Sequence, residues 1–245
     1  MPIALLSTIC PMDSHQFISV RENIQSVQDR IASTLQRVGR ESDSIKLIAI
    51  SKTKPASLIV EAIDSGITDI GENRVQEAKG KRSQVDRPVN WHLVGHLQTN
   101  KVKQALKIFD LIHSVDSIRL LAEIERQSRR LNRRTDALVE VNTSGEESKF
   151  GLQPNEVLSF MESAAEYVHV RIKGLMTVGE FMSDPEGVRS SFTLLRSFKE
   201  RIASQGYPNV EMEYLSMGMT NDFEVAIEEG ANMVRIGSAI FGERT

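Results

Sequence analysis

The sequence predicts an α/β protein, a single (β/α)8 TIM barrel with an extra N-terminal helix. Two observations lead to that class. Eight short runs rich in branched apolar residues recur from residue 47 onward, and helical patterns fill the intervals between them. No proline- or serine-rich linker divides the chain into separate units. Branched runs without polar alternation suit parallel strands buried on both faces, as a barrel wall requires. A doubly wound open sheet is the alternative, since no internal repeat separates the two.

Taken in order, residues 1–15 read as a loosely packed N-terminal extension, and residues 16–245 as the barrel domain. The apolar patch Ile3 to Leu6 lacks the basic flank and the length of a signal peptide. Phe17, Val20, Ile24, Val27, Ile31, Leu35 and Val38 then recur at three- and four-residue steps up to Gly39, which predicts an amphipathic helix with a glycine stop. Strands are expected at Leu47 to Ser51, Thr68 to Ile70, Val89 to Val94, Leu111 to Ser114, Ala137 to Val141, Val170 to Met176, Val210 to Leu215 and Met233 to Ile236. Asp116 is placed to cap a helix carrying Ile118, Leu121 and Ile124. Asp184 followed by Pro185 opens one carrying Val188, Phe192, Leu195, Phe198 and Ile202.

Composition removes several function classes. A net charge of -3 argues against a dedicated nucleic-acid binder, and the cluster Arg129, Arg130, Arg133 and Arg134 complements a helix C-terminus. Cys10 is the single cysteine, so no internal disulfide and no cysteine zinc site can form, and a cytoplasmic setting is expected. No apolar run approaches a membrane span. The five histidines are scattered without metal spacing, and His92 and His113, in or beside strands, read as packed core residues. Neither a Walker loop nor a Rossmann glycine fingerprint is present, since Gly80-Lys81 lacks the upstream glycine and the following hydroxyl.

In a barrel, the residues after each strand form one mouth. Lys52 follows the first strand and shares a face with Ile48 and Ile50, because side chains alternate. A strand-end lysine with restricted solvation is a nucleophile toward a carbonyl, although most lysines in such places are simply solvated. Gly71 to Arg74, Gly95 to Asn100, and Thr177 with Gly179 follow the second, third and sixth strands. Barrels often grip phosphate with the loops after strands seven and eight. Here Gly218 and Gly237 let backbone N–H groups approach an anion, while Ser216, Thr220 and Ser238 offer hydroxyls. Either loop alone reads equally well as ordinary turn chemistry, with Asp222 as a first-turn cap.

Arg235 lies inside the eighth strand on the side of Met233, and a guanidinium there needs a partner. The plain reading is Glu140 or another barrel carboxylate. Taken together, a strand-end lysine, a phosphate cradle and an intervening arginine point to an aldehyde bearing a phosphate and an aromatic nitrogen. Pyridoxal 5′-phosphate has those groups: Lys52 would form the internal aldimine, a Schiff base, and Arg235 would donate to the pyridine nitrogen. A permanently protonated arginine leaves that nitrogen without a proton and makes the ring a weaker electron sink.

Six stretches carry a family resemblance: Leu47 to Pro55 (LIAISKTKP), Ile70 to Glu77 (IGENRVQE), Trp91 to Lys101 (WHLVGHLQTNK), Lys173 to Gly179 (KGLMTVG), Leu215 to Glu224 (LSMGMTNDFE) and Val234 to Gly242 (VRIGSAIFG). In matching order from Phe17 onward, the chain resembles the pyridoxal phosphate homeostasis proteins (the YggS/PROSC family). These are fold-type III barrels similar to the N-terminal domain of alanine racemase. The resemblance implies Lys52 as the Schiff-base lysine, Asn73 near the cofactor, Ser216, Met217, Gly237 and Ser238 at the phosphate, and Arg235 at the ring nitrogen. Thr177 is counted with them from its place at the mouth. Lys54 and Lys149 match further basic positions without an assigned role. Arg74 stands where the family often has tyrosine.

The resemblance implies a vitamin B6 binding protein of intracellular homeostasis that exchanges its cofactor with apo-enzymes or amino acids, without established catalysis. Racemases and decarboxylases of this fold type add a β-rich domain and borrow a catalytic residue from another subunit. A chain ending at Thr245 is expected to have no such domain, and none of Tyr167, Tyr207 and Tyr214 is an obvious second acid or base. A monomer binding no nucleic acid, membrane or metal is therefore expected. The alternatives are a narrow amino-acid racemase and a cofactor-free class I aldolase-like barrel in which Lys52 attacks a phosphorylated sugar.

Overall fold

The computed structural model describes residues 19–146, 150–180, 182 and 184–243. The extension 1–15, Cys10, Phe17, Lys149 and Thr245 lie outside the described residues. Eight parallel strands close into one barrel in sequence order: β1 (Lys46–Ile50), β2 (Asp69–Glu72), β3 (Asn90–Leu93), β4 (Leu111–Val115), β5 (Thr135–Glu140), β6 (Val170–Met176), β7 (Val210–Ser216) and β8 (Met233–Ile236). Closure, with β1 pairing both β2 and β8, rules out the open sheet. Each expected strand is present, and its ends differ by a residue or two where pairing rather than composition sets the limit.

The outer layer comprises α1 (Val20–Arg37), α2 (Ala56–Asp64), α3 (Val75–Arg82), α4 (Val102–Ala105), α5 (Ile118–Arg130), α6 (Val157–Ala164), α7 (Arg189–Ala203), α8 (Phe223–Glu228) and α9 (Ser238–Phe241). Capping decides where they start. Ser19 opens α1 with a reciprocal box: its Oγ accepts from Glu22 N at 3.2 Å while the Glu22 carboxylate accepts from Ser19 N at 2.9 Å. Asp184 accepts from Glu186 N at 3.0 Å and leads through a short turn, Pro185–Val188, into α7, as expected. Asp116, in contrast, does not cap α5. Ser117 has the extended backbone of an N-cap and accepts from Leu120 N at 3.4 Å, which leaves Asp116 to pair with His96 at 3.1 Å. Arg129 and Arg130 occupy the last turn of α5, and Arg133 donates to Leu106 O at 2.8 Å.

Alternation splits the apolar residues into two cores. Ile48, Ile50, Leu111, Leu138, Met176 and Met233 fill the barrel, while Ala49, Ile70, Leu93 and their equivalents face the helices in a larger outer cluster. Lys52 therefore continues the inner face of Ile48 and Ile50 into the mouth. Gly71 faces the same interior, where a Cβ would lie 2.4 Å from Ile50 Cδ1. Helix α1 packs on α2, α8 and α9, with Asn23 Nδ2 donating to Ile240 O at 3.0 Å and Arg30 pairing with Glu224 at 3.1 Å. Among the described residues no helix is long and apolar enough to cross a membrane.

Pairing slips between β5, β6 and β7, with register shifts near Leu138 and Gly174. Gly174 has φ +152°, and a Cβ there would sit 1.9 Å from Tyr214 O. Gly174→Ala is expected to destabilise the barrel by about 3 kcal/mol or more, read as a lower urea midpoint at unchanged slope.

Candidate functional site

A cavity of about 430 Å³ opens at the C-terminal end of the strands. It is lined by Lys52, Asn73, Arg235, Gly237 and Ser238, together with Lys54, Glu180, Met219, Thr220, Asn221 and Asp222. Five expected site residues thus meet in one place. Lys54 additionally donates to Glu243 O at 2.7 Å, which ties the β1 loop to the chain beyond α9.

Lys52 stands on a backbone that is clamped from both sides. Lys81, buried at the base of α3, donates to Ser51 O at 2.7 Å, to Glu72 Oε1 at 2.7 Å and to Glu77 Oε1 at 2.6 Å. Glu77 Oε1 accepts from Thr53 N at 2.6 Å, and Ser51 Oγ donates to Glu72 Oε1 at 2.5 Å. Both neighbours of Lys52 are therefore held by one charge cluster, and Thr53 is kept at φ +65°, a left-handed conformation uncommon for a threonine. Burial pushes the Glu72 carboxyl up despite Lys81. At Glu77 burial is outweighed by the Lys81 ammonium and the Thr53 N–H, and its carboxyl goes down. The i,i+4 spacing of Glu77 and Lys81 is visible in the sequence; their burial against the first strand is not. Lys81→Met strands two carboxylates, and is expected to cost about 3 kcal/mol in denaturant unfolding, with Lys81→Arg recovering part of it.

Arg235 has 4% of its surface exposed. Its Nη1 donates to Ser216 Oγ and its Nη2 to Thr177 O, both at 2.7 Å. The plain expectation of a direct carboxylate partner is not met: among the described residues no carboxylate lies within ion-pair distance of it, and Glu140 and Asp222 act on it only through space. Burial brings the guanidinium down to about 10, against the pull of those two carboxylates, so it remains charged at neutral pH.

These contacts set Ser216 and Met217 back from the cavity wall. The Ser216 hydroxyl, expected at the phosphate, is fully buried between Arg235 and His113, and Met217 sits in the outer core with its N–H spent on Met233 O at 3.2 Å. Strand alternation turns Ser216 inward, so its oxygen accepts from the arginine. Thr177 is likewise buried: its carbonyl receives Arg235, and its Oγ1 donates to Val141 O at 2.8 Å. What lines the cavity wall from the loops after β7 and β8 is Met219 to Asp222, with Gly237 and Ser238. Ser238 Oγ and Ala239 N both donate to Thr220 Oγ1, at 3.2 and 3.4 Å, which binds the two loops together. Gly218, at φ +93°, could not carry a Cβ, which would lie 2.6 Å from that of Ala226. Asp222 makes no cap bond into α8; its Oδ1 turns back to accept from Met219 N at 2.5 Å.

Glu140 sits at the end of β5 with 8% exposure. Burial and the nearby Asp116 push its carboxyl up to about 7, with Arg235 opposing. The folded value lies above the ordinary 4.5, so the associated stability is fully present below about pH 4.5 and is lost as pH rises through about 7. Glu140→Gln, permanently neutral, is expected to raise stability by about 2 kcal/mol at pH 8 and to change little at pH 4, read from thermal melts at both values.

The chain matches the family model described as alanine racemase, N-terminal domain, over residues 23–245. It is 42% identical over 224 residues to a pyridoxal phosphate homeostasis protein of Aquifex aeolicus, covering 91% of this chain and 97% of the relative. It is 37% identical to that of Pseudomonas aeruginosa, covering 92% and 96%. Among solved structures it resembles PipY of Synechococcus elongatus with pyridoxal phosphate bound, at TM-score 0.80 and 31% identity over 91% of this chain and 100% of that one. Alanine racemase of Clostridium difficile shares the fold alone, at TM-score 0.69 and 14% identity, with 57% of its own length covered. With these relatives matched along nearly their whole length and the motifs gathered at one mouth, the chain belongs to the family of pyridoxal phosphate homeostasis proteins.

Proposed function

We propose that the protein binds pyridoxal 5′-phosphate in the mouth cavity and serves intracellular homeostasis of that cofactor as a monomeric cytoplasmic carrier. The observation that carries this reading is the convergence of Lys52, Arg235 and the Gly237-Ser238 turn on one cavity. The donor set fits the group: an amine for the aldehyde, a guanidinium for the ring nitrogen, and two glycine-bearing loops for the phosphate. The bound cofactor supplies an electrophilic carbonyl attached to an electron-withdrawing ring.

The protein's own residues then have separate tasks. Lys52 presents its amine from the inner face of β1, held in place by the cluster around Lys81. Gly237 and Ser238, with Thr220 and Asn221 opposite, grip the phosphate, and Asn73 flanks the ring. Arg235 has five N–H donors; two are committed to Ser216 and Thr177, and the others remain for the ring nitrogen. A guanidinium does not give up its proton to that nitrogen, which keeps the ring a weak electron sink and favours retention and exchange over carbanion chemistry. None of the three tyrosines lines the cavity, in keeping with a holding rather than a racemising site. Apo-enzymes and amino acids are the proposed recipients.

The test is the visible spectrum of purified protein given the cofactor, followed by borohydride reduction and peptide mapping. A yellow protein labelled at Lys52, with both signals lost in Lys52→Ala, is the expected result. A colourless protein that is labelled instead by a phosphorylated sugar would favour the aldolase reading. Racemisation of an amino acid that disappears in Lys52→Ala would overturn the non-catalytic part.

A further inference from the structure

The barrel interior holds titratable groups that the cofactor cavity does not use. Asp69, His92 and His113 are each no more than 3% exposed. His92 Nε2 lies 2.8 Å from Asp69 Oδ1, His92 Nδ1 lies 3.0 Å from His113 Nε2, and His113 Nδ1 lies 3.2 Å from Ser216 Oγ. Ser216 Oγ is the atom that receives Arg235. An unbroken line thus runs from the first residue of β2, at the floor of the barrel, to the guanidinium at the mouth.

The donors along that line can be assigned. Asp69 is ionised: burial favours its neutral form but is outweighed by hydrogen bonds from His92 and Thr68 and by the Lys46 charge. A carboxylate only accepts, so His92 carries its proton on Nε2. At the other end Arg235 only donates, so the Ser216 hydroxyl proton goes to His113 Nδ1. His113, which burial drives well below the usual imidazole range, is neutral, so its Nε2 carries the ring proton and donates to His92 Nδ1. Ser216 is left with its lone pairs facing Arg235. Reversing the line would protonate a buried imidazole and leave the Ser216 hydroxyl proton without an acceptor among the described residues.

We propose that Asp69, His92 and His113 are positioning residues for the cofactor, forming a one-way chain of hydrogen bonds that fixes the Arg235 guanidinium from the opposite end of the barrel. The chain gives a buried cation without a contacting carboxylate an anion at a distance, through groups that polarise one another. It also fixes which guanidinium donors are spent on protein and which are free for the ring nitrogen. Asp69 lines a depression on the floor of the barrel, together with Lys46 and Tyr214, so the cofactor face is connected to the far side of the molecule. This inference rests on the reading that Arg235 faces the ring.

Two measurements test it. In ligand-free protein at pH 8, nitrogen-15 NMR of the imidazoles is expected to find both His92 and His113 protonated on Nε2; a proton on Nδ1 of either ring overturns the assignment. In protein loaded with the cofactor, Asp69→Leu and His113→Phe are expected to shift the visible band and weaken retention at least about tenfold, while borohydride still labels Lys52. Asp69→Asn and His113→Gln, which keep an acceptor in place, recover most of the loss. Lys173→Met, which breaks the barrel-wall pair with Glu211 at 2.6 Å, serves as the stability control and leaves the band unmoved. Folded Asp69→Leu and His113→Phe proteins with wild-type band and affinity would sink the proposal. Failure of wild-type protein to label at Lys52 would sink the cofactor reading instead. Should the core variants not fold, the imidazole NMR of the wild type decides alone.

Discussion

A charged guanidinium enclosed by protein needs acceptors to offset its lost hydration. Arg235 meets that constraint with a serine hydroxyl and a carbonyl oxygen rather than with a carboxylate. A carboxylate in direct contact would have neutralised it and competed for the donors that face the cavity. With Glu140 and Asp222 acting on it only through space, the cation remains available to something that enters from solvent. The inward turn of Ser216 supplies one acceptor, and the buried Thr177 carbonyl supplies the other.

The lysine is treated in the opposite way. Lys52 lines open space, and the structure spends its charge cluster on the main chain at either side of it. What the cluster fixes is the backbone on which the side chain stands. The strained Thr53 shows that this anchor is imposed by α3 and not by local preference. Arg235 is thus held through its guanidinium, and the main chain around Lys52 through Ser51 and Thr53.

The barrel was legible because its strands are unmixed apolar runs and its helices are amphipathic. Alternation alone put Lys52 on the inner face with Ile48 and Ile50. The same alternation turns the Ser216 hydroxyl inward, toward Arg235. Asp116 looked like a cap because acids favour that position, but Ser117 has the right backbone and reaches first. The histidines were rightly placed in the core, yet a pattern of burial says nothing about which ring atoms meet. That information lies in the stagger of neighbouring strands, where His92 on β3 and His113 on β4 become adjacent. Lys81 escaped notice for the same reason, since a lysine in a polar helix reads as solvated until the helix is laid against β1 and β2.

Helix α9 is a single turn, too short to cover the seam between β8 and β1. That cover comes from α1, at the other end of the chain, which packs on α8 and α9 and donates from Asn23 to Ile240. The turn that presents Gly237 and Ser238 is therefore braced by residues more than 200 positions earlier in sequence. Contacts of such separation are the last to form and the slowest to find, because the intervening chain must be ordered before they yield anything. During synthesis the Gly237-Ser238 turn consequently matures only after β8 and α9 have emerged and docked on α1.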